Sequence, residues 1–157
     1  MGKGEEMRST PILAAAIGGP LWLIGLPNYA HPEVLAACGP SSGTGYYLMT
    51  PAITAKDAGW KKEKEEPGGF QLVRSGADFD IFFTDALGTR SAKADGATVS
   101  LGSTNEQLGI LNILVTYSGT GVLESYLFNL AAKNVAYTVT KTRTPVPLAR
   151  LLVASCQ

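Results

Sequence analysis

Apolar and polar residues alternate most clearly along residues 135–143 of this chain. Val135, Tyr137 and Val139 fall on one face of that segment, while the other face is made of threonines. A period of two residues is typical of a half-buried β-strand. We therefore predict a strand here, with the aromatic ring of Tyr137 on its apolar face.

Three further apolar segments surround that strand. Residues 108–117 are almost continuously apolar, and Gly109 together with the Gly-rich turn at 118–121 favours a strand over a buried helix. Residues 122–129 and 149–156 also have the length and apolar content of strands. Successive strands with short connections form an antiparallel meander, because parallel pairs require long crossovers.

Weaker strand patterns extend through the middle of the chain. Residues 70–74 and 79–84 predict a strand pair joined by a polar turn, and residues 97–101 predict another alternating strand. We therefore predict a mainly β protein with a single small domain over residues 45–157. Its architecture is expected to be an antiparallel meander of about seven strands, closed as a β-barrel or a β-sandwich.

Two segments interrupt the predicted strands. Residues 31–44 are rich in Gly, Pro and Ser, which predicts a flexible segment leading into the domain. Residues 52–69 contain a run of lysines and glutamates without apolar periodicity, which predicts a charged, solvated loop. Trp60 lies in this loop and is a candidate aromatic anchor for a ligand or partner. The alternative is that its ring packs on the protein's own core.

The first 30 residues have the composition of an export signal. Residues 11–26 form an apolar run, shorter than the about 20 residues of a membrane span but of the length of a secretory signal. We expect cleavage after Ala30, or as late as residue 37, in a chain that starts at Met1 or Met7. The protein is then periplasmic or extracellular, without an integral membrane domain. The alternatives are an N-terminal anchor helix and a buried helix of a cytosolic domain.

The two cysteines, Cys38 and Cys156, predict a disulfide bond, since an even number of cysteines in an exported protein indicates pairing. Residues 35–38, Leu-Ala-Ala-Cys, resemble the lipobox of bacterial lipoproteins, and that resemblance implies a lipid anchor on Cys38. Lipidation of Cys38 would exclude the disulfide, so the two hypotheses are mutually exclusive. Two buried free thiols are the remaining alternative.

The balanced charge and the single histidine argue against several classes of function. The chain has 13 Lys and Arg against 13 Asp and Glu, so no strong field attracts nucleic acid or acidic membranes. The single histidine, His31, lies beside the expected cleavage site, which disfavours histidine-based catalysis and zinc sites. We expect neither a metal nor another cofactor, and no nucleic-acid partner.

Glu124 is the acidic residue most clearly placed among apolar neighbours, on the same face of its predicted strand as Tyr126. It is either a functional acid or a rim residue paired with Lys141 or Arg143 of the next strand. The candidate binding residues are Trp60, Glu124, Tyr137 and Arg143. No catalytic residue is predicted.

These patterns lead to a hypothesis of a non-enzymatic, exported binding module for a small ligand or an envelope protein. The first alternative is an envelope structural or assembly protein anchored by a lipid on Cys38. The second is a small hydrolase that uses Glu124 with Asp78, Asp80 or Asp85, because glycoside cleavage requires two carboxyl groups close in space.

Overall fold

A curled antiparallel sheet contains most of the residues described by the computed structural model, which are 31–65 and 68–157. Its ten strands are, in chain order, Glu33–Tyr47 (β1), Gly59–Glu65 (β2), Gly69–Ser75 (β3), Asp78–Asp85 (β4), Gly88–Ser91 (β5), Thr98–Asn105 (β6), Ile110–Tyr117 (β7), Val122–Asn129 (β8), Asn134–Lys141 (β9) and Leu148–Cys156 (β10). A short 3-10 helix, Glu106–Leu108, connects β6 to β7. The expected export signal, residues 1–30, lies outside the described residues.

The long strand β1 is the centre of the sheet. The strand order is β5-β4-β3-β1-β10-β9-β8-β7-β6, and β2 also pairs with β1. β3 pairs with the first half of β1 and β2 with its second half, so β2 and β3 lie end to end along one edge. The other edge of β1 pairs with β10, and from there the chain forms an uninterrupted meander back to β6.

The two ends of the sheet approach each other, since β4 contacts β6. Between them, the amide of Ala92 donates to the carbonyl of Ile81 on β4, and the amide of Ala97 donates to the carbonyl of Ala92. These hydrogen bonds lead the backbone from one end of the sheet toward the other. The sheet is therefore a half-barrel with a concave inner face and a convex outer face.

The core consists of the side chains on the concave face. Successive residues of a strand point to opposite faces, and the alternating burial along β10 and β9 follows that rule. The largest fully buried side chains are Tyr126, Phe128, Leu72, Ile81, Ile113, Leu152, Val115 and Val135. Among the described residues there is no second sheet or helical layer, so the curl of the sheet is what removes these side chains from water.

Glycines in β1 allow the central strand to lie very close to its neighbours. A Cβ added at Gly43 would overlap the backbone of Leu151 on β10. A Cβ added at Gly45 would lie 2.9 Å from the Glu63 carboxylate of β2. Residues without a side chain are required where backbones approach this closely. The glycines of residues 31–44 therefore belong to a strand.

A disulfide bond joins Cys38 of β1 to Cys156 of β10. The two residues are partners in the β1–β10 register, and both are buried in the core. The predicted pairing of the two cysteines is confirmed. The bond uses the Cys38 sulfur, which the lipid anchor would also require.

The structure confirms the predicted mainly β, antiparallel architecture. The four predicted C-terminal strands correspond to β7–β10, and the predicted pair at 70–74 and 79–84 corresponds to β3 and β4. The curled sheet does not close on itself, so the structure is a half-barrel rather than the predicted barrel or sandwich.

The strand count and two segment predictions were wrong. The described residues contain ten strands rather than about seven. Residues 31–44, predicted to be flexible, form most of β1, because the strand needs glycines beside its neighbours. Residues 52–69, predicted to be a loop, contain β2, whose backbone is paired with β1 while its lysine side chains are exposed.

The disulfide is expected to contribute much of the net stability. The bond closes a loop with a sequence separation of 118 residues, and restricting the unfolded chain in this way stabilises the folded state by about 4–5 kcal/mol in the chain-entropy model. The double variant Cys38→Ala/Cys156→Ala should lose free energy of unfolding on that scale, measured by guanidinium denaturation. The wild type in excess reductant is the matched control and should behave like the variant. A loss below about 1 kcal/mol would contradict the expectation.

Candidate functional site

A cavity of about 690 Å³ lies in the concave face, at the end of the half-barrel where β7 turns into β8. Its volume is within the range of about 300–1,000 Å³ that is usual for small-molecule sites. The residues that line it come from every strand except β6, as well as from the turns at the open end. Residues distant in sequence are therefore brought together only by the curl of the sheet.

The strand register arranges the lining in rows. The outermost row contains Tyr117, Val122 and Lys141, which are neighbours across β7, β8 and β9. The next row contains Glu124, Val139 and Arg150, which are neighbours across β8, β9 and β10. The third row contains Tyr126 and Tyr137, and apolar core residues follow behind them. A ligand that enters the cavity therefore meets a charged row before it meets the aromatic floor.

The floor is a pair of stacked tyrosines whose hydroxyl groups are hydrogen-bonded. The ring centroids of Tyr126 and Tyr137 are 5.0 Å apart, with an interplanar angle of 12°. The Tyr126 hydroxyl donates to Oε2 of Glu124 at 2.7 Å, and the hydroxyls of Tyr137 and Ser41 share a hydrogen bond of 2.7 Å. These bonds satisfy polar atoms that would otherwise be costly to bury.

Burial and nearby carboxylates raise the pKa of two tyrosines at the site. Burial raises the pKa of Tyr126 well above its usual value, and the negative charge and hydrogen bond of Glu124 add to the effect. Burial, followed by the charges of Glu124 and Asp95, raises the pKa of Tyr117 to about 12. Both phenols are therefore neutral hydrogen-bonding groups over the physiological pH range.

The basic side of the cavity is held in place by an ion pair that spans β1. Nη1 of Arg150 on β10 lies 3.7 Å from Oε2 of Glu63 on β2, and both side chains are largely buried. The Tyr47 hydroxyl donates to Oε1 of the same carboxylate at 2.6 Å. Because Gly45 of β1 has no side chain, the two groups can meet above it. This contact fixes the Arg150 guanidinium in the cavity wall.

The acidic groups at the opposite rim are paired with one arginine. Arg90 donates to Asp85 at 2.6 Å and lies 3.3 Å from Asp95. A hydrogen bond from the Leu87 amide, followed by the one from Arg90, lowers the pKa of Asp85. All three charged groups are substantially exposed, so this cluster is worth little for stability. Because two carboxylates share one guanidinium, the rim near β5 keeps a net negative charge.

Two of the four predicted binding residues line this cavity and two do not. Glu124 and Tyr137 are in its wall and floor. Trp60 is 72% exposed, and its ring packs at a 5.3 Å centroid distance against Tyr46 on the convex face. Arg143 is exposed and donates to the carbonyl of Ser118 at 3.5 Å. Trp60 is therefore on the opposite face from the cavity, and Arg143 contacts the turn at its open end without lining it.

The predictions did not include Arg150, Ser41 or Tyr117 among the candidate binding residues. A signal for Arg150 is present in the sequence, because it alternates in phase with Leu148 and Leu152, both of which face the core. Tyr117 is likewise in phase with Ile113 and Val115, which face the core, whereas Ser41 has no such signal. Their place in the site depends on the pairing of β1 with β10 and on the curl of β7.

Asp80 forms local hydrogen bonds. Its carboxylate accepts from the hydroxyl of Ser91 and from the backbone amides of Ile81 and Lys93. Asp78 is highly exposed and lies 3.6 Å from Lys93. Within residues 31–65 and 68–157, no group of three or more His, Cys, Asp and Glu side chains is placed to bind a metal ion.

Comparisons with known proteins yield no relative of this chain. No protein-family model matches it, and neither a curated protein nor a solved structure matches it. None of the helices in the described part of the chain has the length and apolar character that crossing a membrane requires. The arrangement of the cavity is therefore the basis on which a function is proposed.

The raised pKa of Tyr126 predicts a loss of stability in alkaline solution. Above pH 10 the unfolded chain releases the tyrosine proton while the folded protein retains it, so the free energy of unfolding should fall by up to about 1.4 kcal/mol per pH unit for this residue. Below pH 10 the contribution is fully present. Urea denaturation at pH 9, 10 and 11 should show a shallower decline for Tyr126→Phe than for the wild type.

Tyr46→Phe is the matched control, because Tyr46 is 41% exposed on the convex face. That variant should keep the wild-type dependence on pH. Equal slopes for Tyr126→Phe and the wild type would contradict the assignment.

Proposed function

We propose that this protein is a non-enzymatic, exported binding module whose half-barrel holds a small organic molecule. The observation that supports it is the cavity of about 690 Å³ on the concave face. Small-molecule sites are concave and combine apolar walls with a few oriented polar groups. Here an aromatic floor lies behind a row of fixed charges, which is the same combination.

The hydrogen bonds of the cavity favour binding over catalysis. Glu124 accepts a hydrogen bond from the Tyr126 hydroxyl. Asp85 accepts one from Arg90, and Asp95 forms an ion pair with the same arginine. A general acid or base must exchange a proton with its substrate at short distance. Carboxylates engaged by donors of the protein itself are better suited to positioning a ligand.

Export is supported by the disulfide bond between Cys38 and Cys156. Such bonds persist in the periplasm and outside the cell, and they are rare in the cytosol. The apolar run at residues 11–26 is the corresponding signal in the sequence.

The export proposal predicts a shortened, oxidised chain. The intact mass of protein recovered from an exporting bacterial host, measured without reductant, should correspond to cleavage near Ala30, which leaves β1 complete. Reduction should add the mass of two hydrogens, since one disulfide is opened. A chain with added acyl groups on an N-terminal Cys38 would support the lipid-anchored alternative. An untrimmed chain with free thiols would overturn the proposal.

Filling the cavity should prevent a neutral probe from binding. Val122 lines the open end, and in Val122→Trp the added ring would occupy space that a ligand needs. N-phenyl-1-naphthylamine, an uncharged dye that fluoresces in apolar surroundings, should bind the wild type and lose at least about fivefold in affinity for this variant. Fluorescence titration measures both affinities.

Leu123→Trp provides a closely matched control. Leu123 is the next residue of β8, lies on the convex face and is 48% exposed. The same substitution there should leave dye binding unchanged. Absence of dye binding to the wild type, or equal losses for the two variants, would contradict the assignment of the cavity as the binding site.

A further inference from the structure

Lys141 differs from Arg90 and Arg150, since nothing in the described part of the chain pairs with its ammonium group. Arg90 is paired with Asp85 and Asp95, and Arg150 is paired with Glu63. Lys141 is half-buried in the outermost row, and no hydrogen bond or ion pair connects its ammonium group to any residue in the described part of the chain. A half-buried cation without a counter-charge is unfavourable, and a bound anion would compensate it.

The register places Lys141 beside a second cation. Lys141 is opposite Leu148 on β10, and Arg150 is the next residue of β10 that faces the cavity. Diagonal neighbours on adjacent strands have Cα atoms about 7–8 Å apart, which is within reach of long side chains. An anionic group placed between Lys141 and Arg150 would interact favourably with both side chains, and at Arg150 it would share the guanidinium with Glu63.

Glu124 is the carboxylate closest to Lys141 in the register, also in a diagonal position. Its Oε2 atom accepts the hydroxyl of Tyr126, which lies deeper in the cavity. That bond holds one oxygen of the carboxylate at the floor of the cavity. The cavity wall formed by β9 and β10 is therefore its basic side.

Apolar surface adjoins these two cations. Val122 is opposite Lys141 on β8, and Tyr117 is the neighbour of Val122 on β7. Val139 lies between Glu124 and Arg150. A ligand with a charged group at Lys141 would thus lay its remaining atoms against a valine and an aromatic ring. Such contacts stabilise an apolar body by removing it from water.

We propose that the ligand of this cavity is an amphipathic organic anion, in which a carboxylate or sulfonate group binds Lys141 and Arg150 and an apolar or aromatic body contacts Tyr117 and Val122. This proposal rests on the proposed function of the cavity as a small-molecule site. A cationic ligand would have to compete with Tyr126 for Glu124 and with Arg90 for Asp85 and Asp95. An anion meets no competing carboxylate of the described residues at Lys141, and at Arg150 it shares the guanidinium with Glu63.

Two dyes can distinguish the contribution of an anionic group from the binding of an apolar body in the cavity. Anilinonaphthalene sulfonate is the sulfonated counterpart of N-phenyl-1-naphthylamine, so the two share an apolar body and differ by one anionic group. In Lys141→Gln, the affinity for the sulfonated dye should fall by about tenfold, as expected when a charged hydrogen bond is lost. The affinity for the neutral dye should remain within about twofold. Fluorescence titration gives each value.

Lys62→Gln is the matched control, since Lys62 is an exposed lysine of β2 that does not line the cavity. Both dyes should bind this variant as they bind the wild type. With the wild type, raising the salt concentration from about 50 mM to about 500 mM should weaken binding of the sulfonated dye and leave the neutral dye unaffected, because salt screens the ion pair. This second measurement does not depend on the folding of any variant.

The outcomes distinguish the two proposals. If the neutral dye binds while the sulfonated dye shows neither a loss in Lys141→Gln nor a dependence on salt, the anion proposal is overturned and the cavity remains a binding site. If neither dye binds the wild type, the proposed function itself fails. If Lys141→Gln loses both dyes equally, the salt dependence of the wild type decides whether the sulfonate contacts a cation.

Discussion

The close approach of β1 to its neighbours is the constraint on which the rest of the structure depends. β1 is paired along both edges, and at Gly43 even a single methyl group would overlap the backbone of β10. Because the described residues include no second layer, the sheet must bury its own apolar side chains by curling. The disulfide between Cys38 and Cys156 fixes the same pair of strands at one end. The close backbone contact and the disulfide bond therefore both hold β1 and β10 together.

The curl explains why the cavity has both an aromatic floor and charged walls. At the closed end, large side chains such as Phe128 and Leu152 fill the concave face completely. Toward the open end, the side chains in the same alternating positions become Glu124, Arg150 and Lys141. A half-barrel provides enough space for these groups to stay hydrated at the rim while their stems pack against apolar neighbours. The transition from core to site thus occurs along individual strands.

The charges of the cavity are sorted by side, and the sorting follows from strand order. Arg150 and Lys141 are on the adjacent strands β10 and β9, while Asp85 of β4 and Asp95, which follows β5, are near the other end of the sheet and pair with Arg90. The two cations and the two aspartates are therefore on separate sides, although Arg150 also pairs with Glu63 across β1 and Glu124 shares its row. Such separation is useful for orienting a ligand, since fixed charges in a partly desolvated cleft interact more strongly than exposed ones.

Local sequence patterns are enough to show which residues share a face of the sheet. Alternation along 135–141 and 122–128 placed Tyr137 and Glu124 on the inner face, and the two cysteines indicated their own pairing. The face of a residue follows from the two-residue period of a strand, which is a local pattern. The disulfide follows from the number of cysteines in the chain. The tertiary structure decided that β1 is the central strand, that β2 is paired despite its charged composition, and that Arg150 meets Glu63 above Gly45. Those features depend on contacts between strands that are far apart in the chain. Local alternation does not show which strands pair or how closely their backbones pack.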